Sequence, residues 1–339
     1  MTRLTQSIIN LTRLTSLSTR VLADSPFQAT ALVQRPPSYT VPAFAAAAAG
    51  AGYFGGGQDS VGFLSGIDKI TFAGDTKTTL TATLTSARIG LAGMANSAVA
   101  GYFGGGTAAS ATNGIDKITF PADTKTTLSA VLSSAIAYIA GMANSAVAGY
   151  FGGGYPPVST IDKITFPGDT KTTLSATLTS GRGYFAAMAN SGTAGYFGGG
   201  YDTGYLSGID KITFPADTKT TLSATLTIAK NALGGMANSS TAGYFAGGDN
   251  GTKTSGIDKI AFPADTKTTL AATLSTARTG NLAGMAQKGT AGYFGGGTDT
   301  ALISGIDKII FSADTRSTLS ATLTTAREYA SGMADSGVL

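Results

Sequence analysis

The spacing of apolar residues changes character once along the chain. Over residues 1–22, Leu4, Ile8, Leu11, Leu14, Leu17 and Val21 follow one another at intervals of three or four, with Thr, Ser and Arg between them. That is the period of one helical face, and it predicts a helix. Residues 24–42 carry Pro26, Pro36, Pro37 and Pro42, which predicts an extended connector. From residue 43 onward the apolar residues fall in short runs bounded by Gly, Pro, Asp and Asn, as strands and tight turns require.

Those runs repeat. Gly-Tyr-Phe recurs with Tyr53, Tyr102, Tyr150, Tyr196, Tyr244 and Tyr293, at spacings of 49, 48, 46, 48 and 49 residues. Ile-Asp-Lys-Ile follows from Ile67, Ile115, Ile161, Ile209, Ile257 and Ile306, and an Asp-Thr-Lys or Asp-Thr-Arg turn from Asp75, Asp123, Asp169, Asp217, Asp265 and Asp314. A Leu-x-Ala-x-Leu segment comes next, and each copy ends on a methionine: Met94, Met142, Met188, Met236, Met285 or Met333. Each copy offers four extended runs, in the second copy Ala92–Ala95, Val99–Gly104, Ile115–Phe120 and Thr127–Leu132. Four short strands per repeat of about 48 residues predict one propeller blade. Coils of an elongated β-solenoid are usually much shorter. The expected fold is all-β: a six-bladed β-propeller over 43–339, with an N-terminal helical arm over 1–42.

The last copy stops at Gly332-Met333-Ala334-Asp335, a first strand with no blade of its own to follow. It is expected to close the ring beside Tyr53-Phe54, in place of residues 44–49.

The order of a Tyr-Phe-Gly-Gly strand, a Pro/Asp turn and a Leu-rich segment ending in Arg resembles the kelch repeat. The double glycine stands at Gly55-Gly56 and Gly104-Gly105, and looks displaced to Gly247-Gly248 in the fifth copy. The kelch tryptophan is replaced by Leu80, Leu128, Leu174, Leu222, Leu270 and Leu319. The arginine is kept as Arg88, Arg182, Arg278 and Arg327 but becomes Ile136 and Lys230. The resemblance therefore implies a degenerate kelch-like propeller rather than the adaptor type. The wording Gly-Tyr-Phe-Gly-Gly-Gly … Ile-Asp-Lys-Ile-Thr-Phe also resembles repeat proteins of tailed phages, cyanophages especially, which implies a virion component.

Composition removes most chemistry. The chain has no histidine, cysteine or tryptophan, and only 12% of its residues are charged. Acid–base catalysis near neutral pH normally uses histidine or a paired carboxylate, and the acids here are mostly regular repeat positions. The Gly-rich segments end strands and open no helix, so a phosphate loop does not fit. Asp249-Asn250-Gly251 lacks the remaining ligands of a calcium loop. No catalytic residue, cofactor or metal site is expected. Of the formal charge of +4, three units belong to residues 1–40, where Arg3, Arg13, Arg20 and Arg35 face Asp24 alone. No basic stripe with interleaved aromatics offers a nucleic-acid surface, and no apolar run suits membrane insertion. Low acidity and Ser/Arg content give residues 1–22 the look of a transit peptide, while Arg13 interrupts the apolar core a secretory signal would need. We read the segment as an assembly arm.

Alternating strands place the first–second and third–fourth connections of every blade on one face. That face is uniform, with Asn-Ser turns at Asn96, Asn144, Asn190 and Asn238 beside the Asp-Thr-Lys turns. The other face carries every segment that varies: 58–66, 107–114, 155–160, 201–208, 249–256, 298–305 and the links between blades. Of 29 Phe and Tyr, eight lie outside both the repeated strands and the N-terminal region: Phe63, Tyr138, Tyr155, Tyr184, Phe185, Tyr201, Tyr205 and Tyr329. All eight map to this variable face and form the candidate contact surface, with Tyr155, Tyr201 and Tyr205 as the preferred anchors. Asp116, Lys117 and their equivalents are expected to be solvated or paired within their own sheet, and the methionines to pack near the central channel. Together these readings describe a non-enzymatic structural or binding protein of the virion, from the tail, baseplate or fibre. Its partners would be other virion proteins reached through 1–42, further copies of itself, and a host surface glycan or protein. A lectin-like module, secreted or at a cell surface, and a cellular kelch-type scaffold are the rival readings.

Overall fold

The computed structural model describes residues 50–335, which form a six-bladed all-β propeller. The helix expected over 1–22, the connector over 24–42 and the apolar arm residues lie outside the described residues. Each blade is a four-stranded antiparallel sheet; blade 2 runs outward through Ala92–Asn96, Ala100–Gly104, Ile115–Thr119 and Thr124–Thr127. Inner strands of blades 3 to 6 are Ala140–Asn144, Ala186–Asn190, Gly234–Asn238 and Ala283–Gln287. The inner strand of blade 1 is Ser331–Ala334, paired with Ala51–Gly55 through Tyr53↔Met333 and Phe54↔Gly332. The C-terminal strand thus closes the ring, as the unfinished last copy implied.

The outer strand departs from its expected place. It spans Thr124–Thr127, of which Thr124 and Lys125 were expected in the turn and Thr127 at the start of the strand, and it ends before the leucines. The reason is length. The strand it pairs with has five residues, and once Asp116↔Thr127 is formed no partner remains beyond Leu128. Asp123 makes the early start workable: it takes a left-handed conformation (φ 54°), so the turn closes in four residues from Phe120 to Asp123. Leu132 then drops into the core instead of extending the sheet.

Adjacent blades interlock through a repeated set of contacts. Each Gly-Tyr-Phe tyrosine is fully buried and stacks on the Phe that precedes the next blade's turn, as Tyr53 does on Phe120 with ring centres 5.1 Å apart. Its hydroxyl donates to the aspartate of that same turn, Tyr53 to Asp123 at 2.8 Å, and Lys69 reaches the second oxygen at 2.6 Å. The pattern runs round the ring and closes with Tyr293 and Lys308 on Asp75. The methionines do not face a channel. Each is buried between blades, its sulfur against the glycine before the next blade's tyrosine, so a β-carbon on Gly149 would collide with Met94 Sδ and one on Gly52 with Met285 Sδ.

The sheet aspartates correct a second expectation. Asp116 is not solvated: it is 1% exposed, and besides the expected pairing within its own sheet, with Lys125 at 3.4 Å and Thr127 at 3.0 Å, it takes bonds from Thr85 N, Thr85 Oγ1 and Arg88 in the link that enters its blade. Burial works to raise its carboxyl, but the Thr85 bonds and the Arg88 charge outweigh it and the group sits below its ordinary value. Arg182, Arg278 and Arg327 bind Asp210, Asp307 and Asp68 in the same way. Lys117 pairs with Asp169 of the next blade, not with its own sheet. The charged repeat residues thus join segments and blades as well as the strands of one sheet.

The glycine triplets resolve a third point. The pair held at positive φ is the second and third glycine in all six copies, Gly56-Gly57 in the first and Gly247-Gly248 in the fifth. The fifth copy therefore keeps its constrained pair in place and loses only the leading glycine, to Ala246.

Candidate functional site

The variable face is organised by two backbone rings around the axis. In the outer ring the residue after each constrained glycine pair bridges the link that enters a blade: Gln58↔Glu328, Ile89↔Thr107, Ala137↔Tyr155, Gly183↔Tyr201, Asn231↔Asp249 and Thr279↔Thr298. These bridges hold the roots of all six variable loops beside the links. In the inner ring the next residue of each link passes one hydrogen bond to its neighbour. Tyr138 N donates to Gly90 O, Tyr184 N to Tyr138 O, Ala232 N to Tyr184 O, Asn281 N to Ala232 O, Tyr329 N to Gly280 O, and Gly90 N to Tyr329 O, which closes the circle. The fifth link carries one extra residue, so Gly280 supplies the acceptor and Asn281 the donor.

Every member of this collar is left-handed: Gly90 at φ 63°, Tyr138 at 56°, Tyr184 at 58°, Ala232 at 51°, Asn281 at 43° and Tyr329 at 55°. Glycine suits that conformation, and a bulky side chain there costs on the order of 1–3 kcal/mol. Three of the six positions nonetheless hold tyrosine. Their rings converge. Tyr138 stacks on Tyr184 with centres 4.0 Å apart and meets Tyr329 edge-on at 5.6 Å, its ring lying over Gly90. Tyr184 and Tyr329 enter blades 4 and 1, on opposite sides of the ring, yet their centres are 6.5 Å apart. The three side chains therefore cap the propeller axis. Tyr155 extends the platform, 5.6 Å from Tyr184.

Below the cap lies a recess of about 60 Å³, lined by the residues that follow the collar, among them Leu91, Ile139, Leu233 and Asn281. Its floor is a ring of Gly93, Gly141, Ala187, Gly235, Gly284 and Gly332, so tightly set that a β-carbon on Gly93 would meet Gly332 O. Burial is the largest cause raising the phenols of Tyr138, Tyr184 and Tyr329; Tyr329 is pushed up to about 12, with Glu328, Tyr138 and Asp249 adding to the effect. The cap is neutral at ordinary pH.

The eight aromatics picked out by sequence thus divide. Tyr138, Tyr155, Tyr184 and Tyr329 form the axial group. Tyr201 and Tyr205 pair with each other, edge to face at 5.5 Å, within the fourth variable loop. Phe63 is exposed in the first variable loop. Phe185 is not available to a partner: it is 3% exposed and packs on Phe197 and the Arg182 guanidinium. It occupies a link position where four of the other five copies carry Leu or Ile (Leu91, Ile139, Leu233 and Leu282) and the last carries Ala330, and that parallel marked it as core.

Carboxylates divide by region too. All twelve repeat aspartates, six in the sheets and six in the turns, have an ion-pair partner within 4.0 Å. Asp59, Asp202, Asp249, Asp299 and Glu328 on the variable face have none among the described residues. The four aspartates cap the turns of their own loops, as Asp59 does for Val61 N and Gly62 N. Glu328 accepts from Gln58 Nε2 at 3.2 Å, and burial raises its carboxyl. Of these acids sequence reading named only Asp249, and it passed over Asn281, whose side-chain oxygen is buried with no hydrogen-bond partner among the described residues. A count of charges outside the repeat would have found the acids; nothing in the sequence exposes the orphaned oxygen. No group of three or more acids among the described residues is placed to hold a metal ion.

Comparison with models of known protein families gives no match for this chain, and no curated protein is significantly similar to it.

Proposed function

We propose that the chain is a non-enzymatic structural and binding protein of a tailed-phage virion, from the tail, baseplate or fibre region. Residues 1–42 anchor it to other virion proteins, and the propeller meets its target with the variable face. One observation carries the recognition half of this reading: three tyrosines are held in a left-handed backbone so that their rings meet over the axis. Strain of that kind persists where function uses it, and it occurs on the one face whose six loops differ chemically, as specificity requires. The virion half rests on the wording of the repeat and on the distinct N-terminal segment. A binding propeller needs no catalytic group, which accords with a sequence without histidine or cysteine.

Two measurements test the halves separately. Mass spectrometry of purified phage particles that encode the chain should find it, and its absence there removes the virion assignment. The full chain should bind host cells or their isolated surface polymers, and the variant Tyr138→Gly/Tyr184→Gly/Tyr329→Gly should not. Undiminished binding by that variant would take recognition away from the axis. A glycan array that gave a strong, tyrosine-dependent hit would favour the lectin-like reading, to which exposed tyrosine faces are equally suited.

A further inference from the structure

The tyrosine cap is lopsided, and its open side shows what would complete it. Tyr138, Tyr184 and Tyr329 cover the axis from the links entering blades 3, 4 and 1, while the links entering blades 5 and 6 present Ala232, Gly280 and Asn281. Glu328 lies across this opening: a β-carbon on Gly280 would sit 2.7 Å from Glu328 Oε2. Asn281 borders the recess and holds the unpartnered oxygen, an acceptor already out of water. Such a group calls for a donor. Five carboxylates without ion-pair partners among the described residues stand on this face against one lysine, Lys253, if the buried link cations bound to sheet aspartates are set aside.

We propose that the open side of the cap binds the guanidinium of an arginine-bearing segment on a partner protein, with Tyr329 beneath its plane and Glu328 and Asn281 Oδ1 accepting its N–H groups. This rests on the variable face being the recognition face. The choice of guanidinium follows from what each rival lacks. A sugar brings donors and a face for the rings but no charge to meet the carboxylates. An ammonium brings charge but no plane to lie on a tyrosine. Guanidinium is donor-only, planar and weakly hydrated, stacks on aromatic rings and bonds carboxylates in pairs. Anionic ligands meet repulsion from Glu328 and its neighbours.

The test uses the full chain and calorimetric titration with three short peptides that differ only at one central residue: arginine, lysine or citrulline, the last having the shape of arginine without its charge. The arginine peptide should bind, with citrulline and lysine each at least about tenfold weaker, and rising salt should weaken it as expected of partly exposed charges. Glu328→Gln and Asn281→Gly should each cost at least about tenfold while leaving the melting temperature near its original value, since Gly fits the left-handed collar. Absence of arginine binding, equal binding of citrulline or lysine, or indifference to Glu328→Gln would each overturn the assignment. If arginine fails while host-surface binding still depends on the three tyrosines, the ligand class is wrong and the recognition face stands. If the triple Tyr→Gly variant alters neither, both readings fall together.

Discussion

The two faces of the propeller use the same kinds of residue to opposite ends. On the uniform face polar groups are consumed by assembly. Asn96 is 5% exposed and accepts from Ala146 N of the next blade, Asn144, Asn190 and Asn238 repeat the contact, and each turn aspartate receives a tyrosine and a lysine from the preceding blade. On the variable face the aspartates cap their own loops and keep their charge unpaired, and tyrosines sit where glycine would cost less. Repetition explains the first pattern, because the tyrosine–aspartate contact that joins one pair of blades is made at all six seams of the ring. The second pattern differs in every blade, so closure cannot be its cause. Sequence identity between repeats thus marks residues bound to one another, and departures mark residues left for something else.

Removing the closing strand should have the largest effect. Residues 331–334 supply blade 1 with its inner strand, and Met333 fills the seam against Gly101. Deleting 331–339 leaves Ala51–Gly55 unpaired on that side, and the loss should be comparable with the whole stability of a domain, about 5 kcal/mol or more. Chemical denaturation would show it, and an unchanged midpoint would mean that another segment closes the ring. Next comes the link arginine. Arg278 and Asp307 are both fully buried and 2.9 Å apart, so Asp307→Ala strands a buried cation and should cost about 3–5 kcal/mol. Asp162 faces Ile136 instead and keeps only Ser133, Thr173 and Lys171, so Asp162→Ala should cost nearer 1–3 kcal/mol. Equal losses would show that the arginine adds little to its seam.

Most of the propeller was legible in the chain because repetition averages out local ambiguity. Blade number, inner strands and closure by Gly332-Met333-Ala334 all follow from a unit seen six times. The outer strand did not, since Asp123 sits at positive φ and turns the chain earlier than a turn over Asp123-Thr124-Lys125 would. The sheet aspartates were read only in part: their pairing within the sheet was expected, but sequence shows Asp116 beside Lys117 and hides Arg88, which is 28 residues away. At the candidate site the aromatics could be listed but not assembled. Tyr184 and Tyr329 are far apart in sequence and come together only through the six-fold closure of the collar. The orphaned oxygen of Asn281 belongs to a one-residue insertion whose geometry no spacing rule describes.

High pH should weaken the seams by a smaller, cumulative effect. Tyr53, Tyr102, Tyr150, Tyr196, Tyr244 and Tyr293 are all raised, first by burial and then by the aspartate each hydroxyl bonds. In the unfolded chain these phenols ionise near about pH 10, so above that value the unfolded state binds fewer protons than the folded one. Stability is then fully present below about pH 10 and declines as the pH rises beyond it, with a slope set by the protons the folded ring retains. Melting temperature against pH, read beside tyrosinate absorbance, would check this. Tyr53→Phe should flatten the slope by close to one proton; an unaltered slope would mean that the seam hydroxyls contribute nothing.

Glycine at the collar should change stability least and binding most. Replacing Tyr138 removes a stacked contact with Tyr184 and an edge contact with Tyr329, each about 0.5–1.5 kcal/mol by the usual worth of aromatic pairs. Against that, Gly at φ 56° relieves a conformation that disfavours bulky residues by about 1–3 kcal/mol, as Gly90 already does one link earlier. The two contributions are of similar size and opposite sign, so Tyr138→Gly should move the unfolding free energy by no more than about 2 kcal/mol in either direction. Tyr138→Ala retains most of the backbone cost while losing the same contacts, and should be the less stable of the two. A rigid structural cap predicts the reverse of this pattern: a large loss for both replacements and no separate effect on ligand. Denaturation of both variants beside a binding titration would decide whether the tyrosines hold the propeller shut or present a surface.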